Sequence, residues 1–190
     1  MPSKKEWDWS TTIVTFSTVI FAIVSLITAY ITITSWQTQR QADRPYFSVK
    51  NSPQVVLQKK VMFEFEFTNV GKHAASTLVS NTYVFDQSLN LKPVHVDEYA
   101  LINDIPRETT TRLMIQLDNQ DISLIDKDIN PQYLVIHLSY ADPVLNQSYQ
   151  QSLFMKWAGV VDEEVQPLIY AQTSEREKIL NYLKLHHLKV

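Results

Sequence analysis

A long uncharged stretch near the N-terminus constrains this chain more than any other feature. Residues 9–39 contain no Asp, Glu, Lys or Arg, and their centre, residues 13–33, reads IVTFSTVIFAIVSLITAYITI. Coiled as a helix at about 1.5 Å per residue, this centre is roughly 30 Å long, which matches the hydrocarbon core of a bilayer. The sequence therefore predicts a transmembrane helix over residues 11–36, preceded by a short N-terminal tail, residues 1–10.

Aromatic residues mark both ends of the predicted span. Trp7 and Trp9 precede it, and Tyr30 and Trp36 close it. Trp and Tyr at such positions lie at the level of the lipid headgroups, so these four are expected to be membrane-interface anchors. Polar residues beyond them can extend the helix up to residue 44. A cleaved signal peptide is the main alternative, but its apolar region is usually about 7–15 residues long and ends at a cleavage site of small residues. The second alternative to a transmembrane helix is a buried helix of a soluble protein.

The orientation of the span depends on the basic residues beside it, and these nearly balance. Lys4 and Lys5 lie before the helix, whereas Arg40, Arg44 and Lys50 follow it. Because Lys and Arg accumulate on the cytoplasmic side, the larger number after the helix favours a cytoplasmic C-terminal domain. The α-amino group at the N-terminus offsets most of that difference.

A stripe of small residues runs along one face of the predicted helix. Its members repeat at spacings of four and three, as residues on one side of a helix do, and they are Thr11, Thr15, Thr18, Ala22, Ser25, Ala29 and Thr32. Small residues let helix backbones approach closely, so the stripe is a candidate helix–helix interface with a second copy or another membrane protein. The alternative is that a segment rich in Thr, Ser and Ala produces such a stripe by chance.

Composition excludes several kinds of chemistry. With only Gly71 and Gly159 the chain cannot form a glycine-rich phosphate loop. With no cysteine it has no disulfide, no cysteine zinc site and no thiol nucleophile. A formal net charge of -3 and scattered basic residues give no basic surface for nucleic acid. We therefore expect no cofactor, no metal, no nucleic-acid partner and no catalytic residue.

Residues 45–158 have the pattern of an all-β domain. Residues 61–68 alternate strictly between apolar and polar side chains, which is typical of a strand with one buried face. Similar patterns predict seven strands, at residues 46–50, 60–70, 77–85, 99–102, 109–117, 133–140 and 148–157. The last two are expected to form a hairpin. Seven alternating strands favour an immunoglobulin-like sandwich, although the disulfide of that fold is absent.

The C-terminal residues change to a helical pattern after a linker, residues 159–173. Ser174 and Glu177 have the spacing of a capping box at the start of a helix over residues 174–190. Apolar side chains then follow at helical spacing, which predicts an amphipathic helix packed on the β domain or its partner. The alternative is a helix lying on the membrane surface.

Three groups of polar residues resemble binding sites only in part. Asp126, Asp128 and Asn130 match the first ligands of an EF-hand loop, but Pro131 replaces its glycine. The other two groups, which we expect to be solvated surface, are His95 with Asp97 and Glu98, and Glu64 with Glu66.

Several short motifs together resemble a loose class of small bacterial membrane proteins with one N-terminal helix and a β-sandwich. The matching residues lie between 10 and 157, and they are Arg44, Pro45, Val49, Asn69, Gly71, Ala74, Tyr140 and Asp142. The resemblance implies that architecture and a single-pass location in the bacterial inner membrane. It implies no catalytic residue.

The sequence therefore predicts a membrane-anchored interaction protein that is not an enzyme. Its expected role is a subunit or accessory of a bacterial membrane complex, with defence and immunity systems among the candidates. A ligand sensor that signals by helix association and a membrane-tethered hydrolase are the alternatives.

Overall fold

A computed structural model describes residues 9–58, 60–90, 92–117 and 128–188 of the chain. The chain forms two compact units, Met1–Asp43 and Arg44–Val190. The helices and strands, in order, are α1 (Trp9–Ala42), β1 (Phe47–Val49), β2 (Gln54–Leu57), β3 (Val61–Asn69), β4 (Ser76–Asp86), β5 (His95–Leu101), β6 (Thr110–Leu117), β7 (Gln132–Asp142), β8 (Gln147–Trp157), β9 (Val160–Val161), β10 (Glu164–Val165), β11 (Leu168–Tyr170) and α2 (Thr173–Leu185).

Helix α1 makes up the N-terminal unit. It is long and apolar enough to cross a membrane, and none of its residues is buried. The helix ends at Ala42, shortly before Pro45, because a proline disfavours helical backbone at the residue before it. It is therefore longer than the predicted span of residues 11–36 and includes most of the expected polar extension.

The first sheet is built around β3, which is antiparallel to its three partners. On one side β1 pairs with one end of β3 and β2 with the other, and on the opposite side β6 runs along its length. The predicted alternation in β3 is confirmed, since alternate residues are buried, namely Val61, Phe63, Phe65, Phe67 and Asn69. Strand β2 was not expected from the sequence.

The second sheet has five antiparallel strands in the order β11-β8-β7-β4-β5. Strands β7 and β8 form the predicted hairpin, with Tyr140 opposite Tyr149. Strand β5 starts earlier than predicted, at His95, and the expected linker over residues 159–173 contains β9, β10 and β11. Because β11 pairs with β8, this segment contributes a strand to the second sheet.

One apolar core contains side chains from both sheets. Rings from the two sheets meet edge to face: Phe63 with Trp157, at a centroid distance of 5.2 Å, and Phe47 with Tyr140, at 5.0 Å. The predicted order of an apolar helix, an antiparallel β region and a C-terminal helix is therefore confirmed.

Helix α2 packs on the outer face of the second sheet. Ile179, Tyr182 and Leu183 are buried in a second apolar cluster that includes Phe85 and Tyr133. The helix starts differently from the prediction, because Gln172 is its N-cap and Glu175, not Glu177, accepts a hydrogen bond from the Gln172 backbone N–H at 2.9 Å.

Candidate functional site

The segment that follows α1 is held by buried groups of the β region. Arg44 is the second residue after the last residue of α1, and Pro45 and Phe47 are buried. The Tyr46 carbonyl accepts a hydrogen bond from the Val70 N–H at 2.8 Å. We call this segment, with the groups that bind it, the junction cluster.

Asn69 is the centre of the junction cluster. Its side-chain oxygen accepts hydrogen bonds from the N–H groups of Tyr46 at 3.3 Å and Gly71 at 3.1 Å. Its side-chain nitrogen donates to the carbonyls of His73 at 2.9 Å and Ile105 at 3.1 Å. The residue is fully buried, and a buried amide is stable only when its donors and acceptors are paired in this way.

Gly71 is required here by a close approach of two backbone segments. A Cβ atom on Gly71 would overlap the Arg44 carbonyl oxygen, which no side chain can tolerate without movement of the backbone. Gly71 does not serve a left-handed turn, since among the described glycines the positive φ belongs to Gly159, at 87°.

The second sheet also binds the segment after α1. The Gln151 amide accepts a hydrogen bond from the Phe47 N–H at 3.2 Å and donates one to the Phe47 carbonyl at 2.6 Å. The Tyr140 hydroxyl donates to the Pro45 carbonyl at 3.3 Å, and burial raises the pKa of Tyr140. The junction cluster therefore fixes the first residues after α1 to both sheets.

A His–Asp pair completes the junction cluster. His73 Nδ1 lies 2.8 Å from Asp142 Oδ2, whose side chain is fully buried. The other carboxylate oxygen accepts hydrogen bonds from the N–H groups of Val144 and Leu145, which shapes the turn between β7 and β8. The residues that carried the family resemblance thus come together from distant segments of the chain, and they include Asn69, Gly71, Tyr140 and Asp142.

The stripe of small residues lies exposed on α1. The hydroxyls of Thr15, Thr18 and Thr32 each donate to a carbonyl of their own helix four residues earlier, at 2.8 Å. These bonds reduce what the hydroxyls can offer a second helix, but they leave the residues small. The stripe stays a predicted interface.

The expected aromatic anchors are exposed wherever the structure describes them. Trp9, Tyr30 and Trp36 are exposed on α1, and the Arg40 guanidinium lies 4.7 Å from the centre of the Trp36 ring. Trp7 lies outside the described residues. The role of all four at the membrane surface stays a prediction.

The polar residues considered as metal ligands are not gathered into a metal site in the described residues. Asp126 lies outside the described residues, and Asp128 accepts a hydrogen bond from the Asp162 N–H at 2.9 Å. Within residues 9–58, 60–90, 92–117 and 128–188 no group of three or more His, Asp or Glu side chains is arranged to hold a metal ion.

Glu64 and Glu66 form an ion-pair network across the first sheet. Arg112 on β6 pairs with Glu64 at 2.9 Å and with Glu66 at 3.0 Å. Hydrogen bonds from Arg112 and then Asn51 lower the pKa of Glu66. The two carboxylates are therefore bound to a shared cation and are not arranged as an acid–base pair.

A buried histidine between two serines is a feature that the sequence did not indicate. His137 Nδ1 lies 2.9 Å from the Ser152 hydroxyl, and its Nε2 lies 3.3 Å from the Ser139 hydroxyl. Burial lowers the pKa of His137. A serine nucleophile needs an imidazole whose second nitrogen is oriented by an acid, whereas here a second hydroxyl occupies that nitrogen. The arrangement links β7 to β8 by side-chain hydrogen bonds.

These features define a class of protein with one N-terminal apolar helix and an antiparallel β region that binds the first residues after it. The chain belongs to the family described as Domain of unknown function (DUF8453), whose model matches residues 10–160. The match includes α1 and β1 to β8, whereas α2 lies outside it.

Two solved structures are distantly similar to this chain. No curated protein matches the sequence significantly. The X-ray structure of Northeast Structural Genomics Consortium target SoR45 is 14% identical, with a TM-score of 0.38, over 58% of this chain and 84% of that one. DesR, a β-glucosidase from Streptomyces venezuelae in complex with D-glucose, is 12% identical, with a TM-score of 0.31, over 67% of this chain and only 15% of that one. Neither likeness carries a functional conclusion.

Proposed function

We propose that this chain is a non-enzymatic, membrane-anchored interaction protein. Helix α1 spans the bacterial inner membrane, and the β region is an immunoglobulin-like sandwich that presents the edge of β5 to a protein partner. The partner is another component of a membrane complex, to which the anchor confines this chain.

The observation that carries this proposal is the open edge of β5. Strand β5 pairs with β4 on one side, and on its other side no described strand pairs with it. Val96 and Tyr99 keep 59% and 46% of their surface exposed. Edge strands that avoid pairing usually carry Lys or Pro, and β5 contains neither. Such an edge can add a strand from a partner by backbone hydrogen bonding.

The long edge strand of the other sheet is less suited to this role. On β6, Arg112 extends over β3 and binds both Glu64 and Glu66. A strand docked beside β6 would have to accommodate this network and its basic Arg112, whereas the charged side chains of β5, Asp97 and Glu98, are both acidic and favour a partner strand with basic side chains. The proposal therefore assigns the partner to β5.

The arrangement of strands supports a sandwich of the immunoglobulin type. One sheet contains β1, β2, β3 and β6, the other contains β5, β4, β7 and β8, and the two share one core. The chain thus passes from one sheet to the other between β3 and β4, between β5 and β6, and between β6 and β7, in the manner of Greek-key sandwiches.

A matched pair of proline variants tests the β5 edge. Neighbouring residues of a strand point their N–H groups to opposite sides. One of the variants Asp97→Pro and Glu98→Pro therefore loses a backbone hydrogen bond to β4, whereas the other loses an N–H group at the free edge of β5. A thermal melt identifies the second variant as the more stable of the two. We expect that variant to lose copurifying partners from detergent extracts of native membranes. Unchanged copurification with the stable variant would refute a role for this edge.

A second candidate is a sensor that signals by association of α1 helices. It is favoured by the exposure of the entire small-residue stripe along α1. In this alternative the β region binds a ligand and alters the pairing of two helices.

A further inference from the structure

Exposed apolar side chains gather at one end of the β region. Tyr46, Val70, Ile102 and Val144 come from four separate segments, and each has 47% or more of its surface exposed. We call this end, at which the junction cluster lies, the junction end.

Hydrogen bonds place these four segments together. The Val70 N–H donates to the Tyr46 carbonyl, and Ala75, which follows Val70 in the same loop, exchanges backbone hydrogen bonds with Ile105 at 2.7 and 3.0 Å. The His73–Asp142 contact brings the turn with Val144 to the same loop. Isolated exposed apolar residues are ordinary, but a group of them on several loops marks a contact surface.

The chain itself limits how far this surface can lie from the membrane. Trp36, the last aromatic anchor of α1, is six residues before Ala42, and Arg44 follows Ala42 by two. Six helical residues rise about 9 Å, and two extended residues add at most about 7 Å. The junction end is therefore tethered within a short reach of the headgroup layer.

The charges at the junction end are compatible with a lipid surface. The exposed basic residues are Arg44, Lys72 and Arg107, whereas the exposed acidic ones are Asp104 and Glu108. Glu108 pairs with Arg107 at 3.1 Å. Basic side chains near a membrane are attracted to anionic headgroups.

We propose that the junction end lies in the headgroup layer of the membrane that α1 spans, with Val70 and Val144 inserted among the lipids. The inference rests on the proposed membrane anchor. Apolar side chains in this layer stabilise the docked state because they leave water. The contact fixes how the β region stands on the membrane, and so the direction in which β5 is presented.

The absence of native cysteine allows a direct test with single-cysteine labels. Full-length Val144→Cys and Val70→Cys report on the junction end, and Val24→Cys reports on the middle of α1. Val161→Cys is the matched control, since Val161 is 48% exposed and Val144 56%. Val161 follows the far end of β8, a strand of eleven residues, so about 35 Å of strand separates the two labels.

Each labelled protein is placed in nanodiscs of phosphatidylcholine and phosphatidylglycerol, with nitroxide quenchers at the headgroup or deep in the acyl chains. We expect headgroup quenching at positions 70 and 144 that is at least several-fold stronger than at 161, and deep quenching at 24. Equal quenching at 144 and 161 with deep quenching at 24 would overturn the docking and leave the anchor intact. Loss of deep quenching at 24 would overturn the anchor, and this inference with it.

Discussion

His73 Nδ1 and Asp142 Oδ2 lie 2.8 Å apart, and this contact joins the loop after β3 to the turn between β7 and β8. Because Asp142 also accepts two backbone N–H groups, one carboxylate stabilises both the turn and the contact between the sheets. We expect Asp142→Ala to lower the free energy of unfolding by about 2–4 kcal/mol, since it removes the charged acceptor of two turn N–H groups and of His73. Urea denaturation followed by tryptophan fluorescence measures this. Asp142→Asn keeps an acceptor for the turn and should cost less, and equal losses for both would contradict the account.

A methyl group at position 71 should disturb the segment after α1. Gly71→Ala places a Cβ atom against the Arg44 carbonyl, and the resulting overpacking should cost about 1–3 kcal/mol. Val70→Ala, at the adjacent exposed position, is the control and should change stability little. Equal thermal stability of Gly71→Ala and the unaltered protein would show that the close approach is not maintained in solution.

The docking of α2 should depend on pH through one ion pair. Lys156 Nζ lies 2.7 Å from Glu175 Oε1. Hydrogen bonding to Lys156 lowers the pKa of Glu175, and the same bond raises the pKa of Lys156. Because the pKa of Glu175 is lower in the folded than in the unfolded state, ionised Glu175 stabilises the fold at neutral pH. This contribution disappears as pH falls through the folded-state pKa of Glu175. Protonated Lys156 likewise stabilises the fold, until pH rises through the folded-state pKa of Lys156.

The matched variants for this pair are Glu175→Gln and Glu177→Gln. We expect Glu175→Gln to flatten the dependence of the unfolding free energy on pH on both the acid and the alkaline side. Glu177 is exposed on the same helix, so Glu177→Gln should keep the profile of the unaltered protein. Identical profiles for the two variants would remove the ion pair from the account.

The small-residue stripe on α1 predicts self-association that bulky residues abolish. Replacing Ala22, Ser25 and Ala29 with leucine should remove cross-linked dimers in membranes, because close approach of the backbones is lost. Ile27 lies on the opposite face of the helix at 100° per residue, so Ile27→Phe is the control and should leave cross-linking unchanged. Undiminished dimers in the leucine variant would exclude this face as the interface.

The sequence predicted those parts of the fold that depend on local periodicity. The alternation around Phe63 and Phe65 identified β3 and its buried face, because a strand with one wet face repeats every two residues. The length and apolarity of α1 could be predicted from the sequence equally well.

The packing of α2 on the outer face of the second sheet was harder to predict. Tyr133 and Val135 are buried beneath α2, whereas Leu134 and Ile136 face the shared core. Consecutive apolar residues at the start of β7 are the signal of a strand covered on both faces. This signal is missed when only the alternating residues of one face of β7 are considered.

The junction cluster depends on residues that only the folded chain brings together. Asn69 and Gly71 are near each other in sequence, but Arg44 and Asp142 come from distant segments. A glycine required by a close approach cannot be distinguished in sequence from one required by a positive φ, so the sequence alone does not show why position 71 is a glycine.

Photo-cross-linking from the edge of β5 tests the central claim most directly. A photoreactive amino acid is placed at Val96 in the full-length chain in native membranes, and at Val161 as the exposed control. We expect a discrete protein adduct at position 96 that is absent at 161 and is lost in the stable proline variant of β5. No adduct at position 96, or the same adduct from both positions, would contradict it.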